Sequence, residues 1–462
     1  MAVPNAIPLV VRNCILVPVT GRDIVLDRGY VRIEGGRITE VGAGEPLDLE
    51  SGVEVLDGAG KVLLPGLINA HTHLYQVLLR AVWEDLPLLP WLRRIYATAQ
   101  VLRPEHVYAG TLLGCVESLK GGVTTVCEHN FLNPEPECAT EALRAMIVSG
   151  LRGVFARTIM DSGEIVPACT RENADQALRR VADLIDHRER TFTPMEQQRL
   201  TLRTGPNTPP INTSDELLRE IHRFADAYSI GISAHVAESC SVVDLVKSEH
   251  SRDGVVDYLK DFGLLGENSV FAHCVHLGPE EIRHLAQTQT SVSHNPVSNM
   301  MLGDGIAPVV EMLAEGVNVA LGTDGAASNH SQDLFETMKT ASLLQKVKHQ
   351  NAGVIDPYTV LRMATAGGAQ ALGLGEVCGT IEVGKNADLI LVDLQKPHIQ
   401  PINDLVSQLV HCAKATDVDS VIVGGCLLMK GRTLLDADEG RVLESASMAH
   451  TELMKAMDAA SI

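Results

Sequence analysis

The sequence predicts an α/β protein: a (β/α)8 TIM barrel carrying a small β-sandwich domain built from the N- and C-terminal segments. Three observations predict it. Eight short runs rich in Val, Ile and Thr alternate with helical stretches. The segments on either side of them are short strand-like runs with Gly and Asp turns. Seven of the 17 histidines stand at or near the C-terminal ends of the runs.

Residues 1–61 hold VVRNCILVPV, DIVLDRGYVRIEGGRITEVGAG and VEVLDGAGK, the texture of short strands joined by tight turns. The barrel is predicted over residues 62–375, opening with VLLPGLINAHTH. Its further strands are VTTVCEHN, LRGVFARTIM, LTLRTGPN, GISAHVAES, SVFAHCVHL, TSVSHNPVSN and VNVALGTDGAA. Between them, PEHVYAGTLLGCVESLKGG, SDELLREIHRFADAY, GPEEIRHLAQ and SQDLFETMKTASLLQKV repeat apolar residues at three and four, and several start at Asp, Ser or Pro. Short apolar strands with helical crossovers imply a parallel sheet covered on both faces, and eight units over about 290 residues match a barrel. Residues 376–436 return to strand texture in GTIEVGKNADLILVDL and DSVIVGGCLLMKGR, so the two flanks are predicted to be parts of one β domain. Residues 437–462 are predicted to form a helical tail.

The 462 residues are 45% apolar, which suits a globular chain, and carry a formal charge of −20. Such acidity disfavours nucleic acid and anionic membrane surfaces as partners. No run approaches a membrane span, and the start MAVPNAIPLVVRNCILV lacks the basic leader of a signal peptide. The ten cysteines form no Cys-x-x-Cys pair, so a reducing cytoplasm is expected. GTIEVGKN only mimics a phosphate loop: Asn386 replaces the required Ser or Thr, and a strand follows instead of a helix.

The active face of such a barrel is its C-terminal end. His71 and His73 stand two apart on the first strand, so both imidazoles can face one ion. His235 ends the fifth strand and Asp324 the eighth. Three imidazoles and a carboxylate suit Zn²⁺, with Fe²⁺ as the alternative. The fourth strand offers Arg203 and no lysine to bridge a second ion, so one divalent metal is expected. Glu238, three residues after His235, is placed to move a proton, and His273 to hold or deprotonate the attacking water. His276 and His294 are candidates for supporting partners behind the ligands.

The motifs LLPGLINAHTHL, HVAES, FAHCVHL, SHNPVSN, LGTDGAASN and GTIEVGKNADLILVDL resemble the amidohydrolase superfamily. More narrowly, the chain resembles the branch holding S-adenosylhomocysteine/5′-methylthioadenosine deaminases and s-triazine hydrolases. The resemblance implies that His71, His73, His235 and Asp324 hold one ion. It also implies that His273 and Asp324 activate water and that Glu238 shuttles a proton to a ring nitrogen. Glu84 matches a residue that binds ribose hydroxyls, Arg157 one that binds an amino-acid carboxylate, and Arg171 a second such Arg only with an insertion. The chain departs from the deaminase pattern in two places. Gly205-Pro206-Asn207-Thr208-Pro209 replaces a run with a substrate-binding His, and His129 ends the second strand where those deaminases usually have none. Glu84, His129, Arg157 and Asn207 are the candidates for substrate contact.

The expected function is a metal-dependent hydrolase that attacks an sp² carbon of a nitrogen heterocycle with metal-bound hydroxide, deaminating an aminopurine- or aminopyrimidine-like compound. The alternative is cleavage of a carbamate, thiocarbamate, urea or chlorinated s-triazine. A catalytically silent barrel would show disrupted ligands, and every proposed ligand is intact. Relatives of this type suggest a homo-oligomer.

Overall fold

The computed structural model describes residues 8–46 and 52–462. Met1–Ile7, part of the stretch expected to lack a leader, lie outside the described residues.

Eight parallel strands pair in sequence order: Leu67–Thr72, Val123–Asn130, Arg152–Ile159, Leu200–Pro206, Gly231–Val236, Ser269–His273, Ser291–His294 and Val319–Leu321. The first three are buried at every position, which is why they are continuous apolar runs and not alternating ones. The ring closes where the Asp324 amide donates to the His71 carbonyl at 3.0 Å and Thr72 Oγ1 donates to the Asp324 carbonyl at 2.9 Å. The eighth strand is shorter than VNVALGTDGAA suggests because the chain turns sharply after Leu321. At Gly322 a Cβ would lie 2.4 Å from Asn295 Oδ1, so only glycine passes there.

The expected helices form over Pro104–Lys120, Asp215–Tyr228, Pro279–Gln287 and Leu334–His349. Ser214 caps the second through the Leu217 amide, and Asp333 caps the fourth through the amides of Phe335 and Glu336. Their apolar faces pack on the outside of the barrel.

A separate mixed sheet of nine strands draws on both ends of the chain. Its centre is Leu9–Leu16, Lys61–Pro65 and Leu389–Asp393. The strand Lys61–Pro65 runs parallel to the first of these and antiparallel to the last. The run VLLPGLINAHTH is therefore two strands in two sheets, and the chain enters the barrel at Gly66 and not at residue 62. A Cβ at Gly66 would sit 2.1 Å from Thr124 Oγ1, which makes this the crossing point. The helix Glu439–Ala460 lies on the barrel, burying Leu453 and Met457, and its His450 Nδ1–H donates to the Leu78 carbonyl at 2.7 Å.

Inside the barrel, Ile68, Ala70, Cys127, Val154, Val270 and Ala320 pack on Ala369, Leu372 and Cys378, which plug the N-terminal end. Arg203 points to that end and donates to the carbonyls of Asn268 at 2.9 Å and Ala371 at 3.3 Å. The interior is thus filled from below, and polar side chains are left to the opposite mouth. Among the described residues no helix is long and apolar enough to cross a membrane.

Candidate active site

The strand ends bring His71, His73, His235 and Asp324 together with one ligand atom each, all within 4.8 Å of one another and all buried. His73 Nε2 lies 3.2 Å from Asp324 Oδ1, and His71 Nε2 lies 3.4 Å from the same oxygen. Neither contact has hydrogen-bond geometry, so His71 Nε2 and Asp324 Oδ1 are buried without a partner. Buried polar atoms are seldom left so. A divalent cation between them satisfies all four groups, and the residues fit it.

The groups behind the ligands aim them. His73 Nδ1–H donates to the His129 carbonyl at 2.6 Å and His235 Nδ1–H to the Asn207 carbonyl at 2.8 Å, leaving both Nε2 lone pairs toward the cluster. Asp324 Oδ2 accepts from Ser298 Oγ at 2.6 Å and Ser328 Oγ at 3.0 Å, leaving Oδ1 for an ion. Asp324 itself has φ of 62°, a left-handed conformation uncommon for Asp, and its backbone is held there by the bonds that close the barrel. Burial pushes the His71 imidazole down to about 4 and that of His235 well below the usual value, the neutral form that binds metals. Burial also opposes charge on His73, but the Asp324 carboxylate outweighs it and raises that group. Burial opposes ionisation of Asp324 too, and the approach of His71 and His73 reverses the balance, holding the carboxyl well below the usual range.

A second cluster shares Asp324 and adds Glu238 and His273. Glu238 Oε1 lies 3.6 Å from His273 Nδ1, and both side chains are buried. Burial, with the carboxylates of Asp304 and Asp324 beside it, pushes the Glu238 carboxyl well above its ordinary range, the direction that favours its protonated form. Burial holds His273 down to about 3, as a neutral base. Asn299 Nδ2 lies 2.9 Å from His273 Nδ1 and fixes the ring.

The remaining candidates fall in different places. His129 stands beside the cluster, its ring centroid 4.2 Å from that of His235. Both its nitrogens are engaged, with Ser233 Oγ at 3.3 Å and Asn207 Oδ1 at 3.1 Å. The Asn207 amide nitrogen in turn donates to Tyr96 Oη at 3.0 Å. These side chains brace His235, so the substrate contact expected of them meets hydrogen bonds already made within the protein. Arg157 is buried and pairs with Glu172 at 2.6 Å, but its Nη1 has no partner. Glu172 also pairs with Arg180. Arg171 donates to the carbonyls of Gly163 and Val166, away from the cluster. Glu84 pairs with His330 at 3.2 Å in the partly exposed loops after the first and eighth strands. His276 donates from Nε2 to the Asp304 carbonyl at 2.7 Å and so anchors that loop rather than a ligand. His294 is buried with both ring nitrogens unpartnered, and burial pushes it to about 3.

Sequence reasoning missed Asp304, Asn299, Ser298, Ser328 and Tyr96. The two serines and Asn299 lie in the quoted motifs SHNPVSN and LGTDGAASN, whose spacing after the strand was the available signal.

Comparison with known proteins agrees with this geometry. The amidohydrolase family model matches residues 62–428. The chain is 38% identical over 436 residues to the 5-methylthioadenosine/S-adenosylhomocysteine deaminase of Syntrophomonas wolfei subsp. wolfei, covering 94% of this chain and 96% of that protein. It is 39% identical over 431 residues to the 5′-deoxyadenosine deaminase of Methanosarcina acetivorans, covering 93% and 94%. A crystal structure of an adenosine deaminase from Xanthomonas campestris with bound zinc superposes with a TM-score of 0.89 at 30% identity, over 98% of this chain and 100% of that one. With a barrel, a buried His/His/His/Asp cluster and near full-length relatives, the chain belongs to the amidohydrolase family and is a hydrolase acting on carbon–nitrogen bonds.

Proposed function

We propose that the protein is an aminohydrolase of an adenosine-like compound, replacing the exocyclic amino group of the purine with oxygen and releasing ammonia. The carrying observation is the buried Glu238 carboxyl, 3.6 Å from His273 Nδ1 and beside the four-ligand cluster. Relatives named for deamination of 5-methylthioadenosine, S-adenosylhomocysteine and 5′-deoxyadenosine support the substrate class.

His71, His73, His235 and Asp324 would hold one ion, with Zn²⁺ favoured by the nitrogen-rich donor set and by the zinc-bound adenosine deaminase. A bound divalent ion supplies Lewis acidity that brings the pKa of water down toward neutrality. Glu238 delivers its proton to the ring nitrogen next to the amino-bearing carbon, which makes that carbon electrophilic. His273 accepts the proton of the attacking water as the new carbon–oxygen bond forms. The proton on His273 then passes to the amino group, the carbon–nitrogen bond breaks to release ammonia, and the proton left on the new hydroxyl returns to Glu238 as the carbonyl forms. Arg157, through its unpartnered Nη1, and Glu84 are assigned to the amino-acid and ribose ends of the substrate.

A reducing, cytoplasmic location is supported by ten free cysteines, seven of them buried. Self-association is supported by Leu443 and Met448, exposed at 53% and 59% on the terminal helix. The test is ammonia release from 5′-methylthioadenosine, S-adenosylhomocysteine, 5′-deoxyadenosine and adenosine. Turnover of at least one is expected. Release from none, with hydrolysis of a carbamate or chlorotriazine, overturns the reading.

A further inference from the structure

At the end of the barrel opposite the metal ligands, a cavity of about 340 Å³ opens between the strands and the mixed sheet. Arg37, Arg152 and Arg199 line it, together with the glycine turns at Gly36 and Gly424. Arg152, at the start of the third strand, is neutralised by Asp388 through contacts of 2.7 and 3.2 Å. Among the described residues Arg199 has no such partner. It is only 5% exposed, and a single bond from Nη1 to the Gly150 carbonyl, 2.6 Å, leaves Nε and Nη2 buried with nothing to donate to. Among the described residues, the Arg37 side chain, on the rim, meets only the Gly384 carbonyl at 2.7 Å. Among the described residues, Asp388 is the one carboxylate ion-paired with any of these three guanidiniums, in a protein whose formal charge is −20.

A buried cation without a counter-charge is costly to desolvate, and proteins rarely leave one so. Burial lowers the affinity of Arg199 for its proton, and the more distant carboxylates of Glu196 and Asp388 offset this only in part. Guanidinium forks match the oxygen spacing of phosphate and carboxylate, and the cavity is wider than one such group needs.

We infer that this pocket is a binding site for a small phosphate-bearing anion, either inorganic phosphate or the phosphate of a mononucleotide, with Arg199 as its principal ligand. Arg152 and Arg199 belong to the barrel, whereas Arg37, Gly36 and Gly424 belong to the mixed sheet. A bound anion therefore ties the two together, and its effect is on stability and not on the distant reaction.

The test is thermal unfolding of the metal-loaded protein titrated with inorganic phosphate or uridine 5′-monophosphate, against chloride of equal ionic strength. Uridine monophosphate carries the same phosphate without an exocyclic amino group. A saturable rise of about 2 °C above chloride is expected with phosphate. A matching rise with uridine monophosphate shows that a nucleotide fits, and its absence assigns the site to the free ion. Arg199→Gln should abolish the rise, and Arg37→Gln, on the exposed rim, should weaken it several-fold even if the first variant fails to fold. No rise above chloride, or a rise that persists in the variants that fold, overturns the inference.

Discussion

His73 Nε2 and His235 Nε2 face one another at 3.2 Å although 162 residues separate them in the chain. Each ring has committed its Nδ1–H to a backbone carbonyl, so two lone pairs converge in a buried space. A cation shared between them would turn that repulsion into attraction.

Removal of the metal is accordingly expected to affect the fold as well as turnover. Chelation should abolish ammonia release and lower the melting midpoint by several degrees, and one equivalent of Zn²⁺ per chain should restore both. Calorimetry of the chelated and reloaded protein measures the shift.

Glu238→Gln preserves the shape of the side chain but not its titratable proton. The variant should bind metal as the parent does, while kcat falls by about 10²- to 10⁴-fold. Metal content measured beside steady-state kinetics separates the two effects. Undiminished turnover would remove the proton shuttle from the mechanism.

His129 and Asn207 brace His235, and their substitution should be felt at the metal. His129→Ala is expected to weaken metal affinity by about 10- to 100-fold while KM at saturating metal changes little. Competition with a chromogenic chelator reads the affinity. A selective rise in KM would return these residues to the substrate.

Arg157 offers a sharper comparison because one of its nitrogens is buried without a partner. Arg157→Gln should raise KM for S-adenosylhomocysteine, which carries a carboxylate, by about tenfold more than for 5′-methylthioadenosine, which does not. An equal change for both substrates would make the Glu172 pair purely structural.

Gly205 tests the barrel wall. A Cβ there would lie 2.0 Å from the Ser233 carbonyl oxygen, a backbone atom that cannot move aside alone. Gly205→Ala should cost about 3 kcal/mol of stability, read from urea unfolding of the metal-loaded protein.

The clustering of His71, His73, His235 and Asp324 was legible in the sequence because a strand's two-residue period and the ends of apolar runs are local properties. The division of VLLPGLINAHTH between two sheets was not, since Lys61–Pro65 and Leu67–Thr72 form one apolar run and differ only in which distant strands they pair with. Asp304 and Tyr96 were hidden for a related reason: they reach the site from loops and helices whose approach is set by tertiary packing. The engagement of Asn207 with His129 and Tyr96 likewise depends on three elements meeting, and no spacing encodes it.

The central claim is that one divalent ion sits among His71, His73, His235 and Asp324, and anomalous diffraction from crystals of the active, zinc-loaded protein tests it most directly. A single strong peak is expected at about 2.0–2.2 Å from Nε2 of each imidazole and from Asp324 Oδ1. A fully active protein with no peak there, or with its ion bound elsewhere, would contradict it.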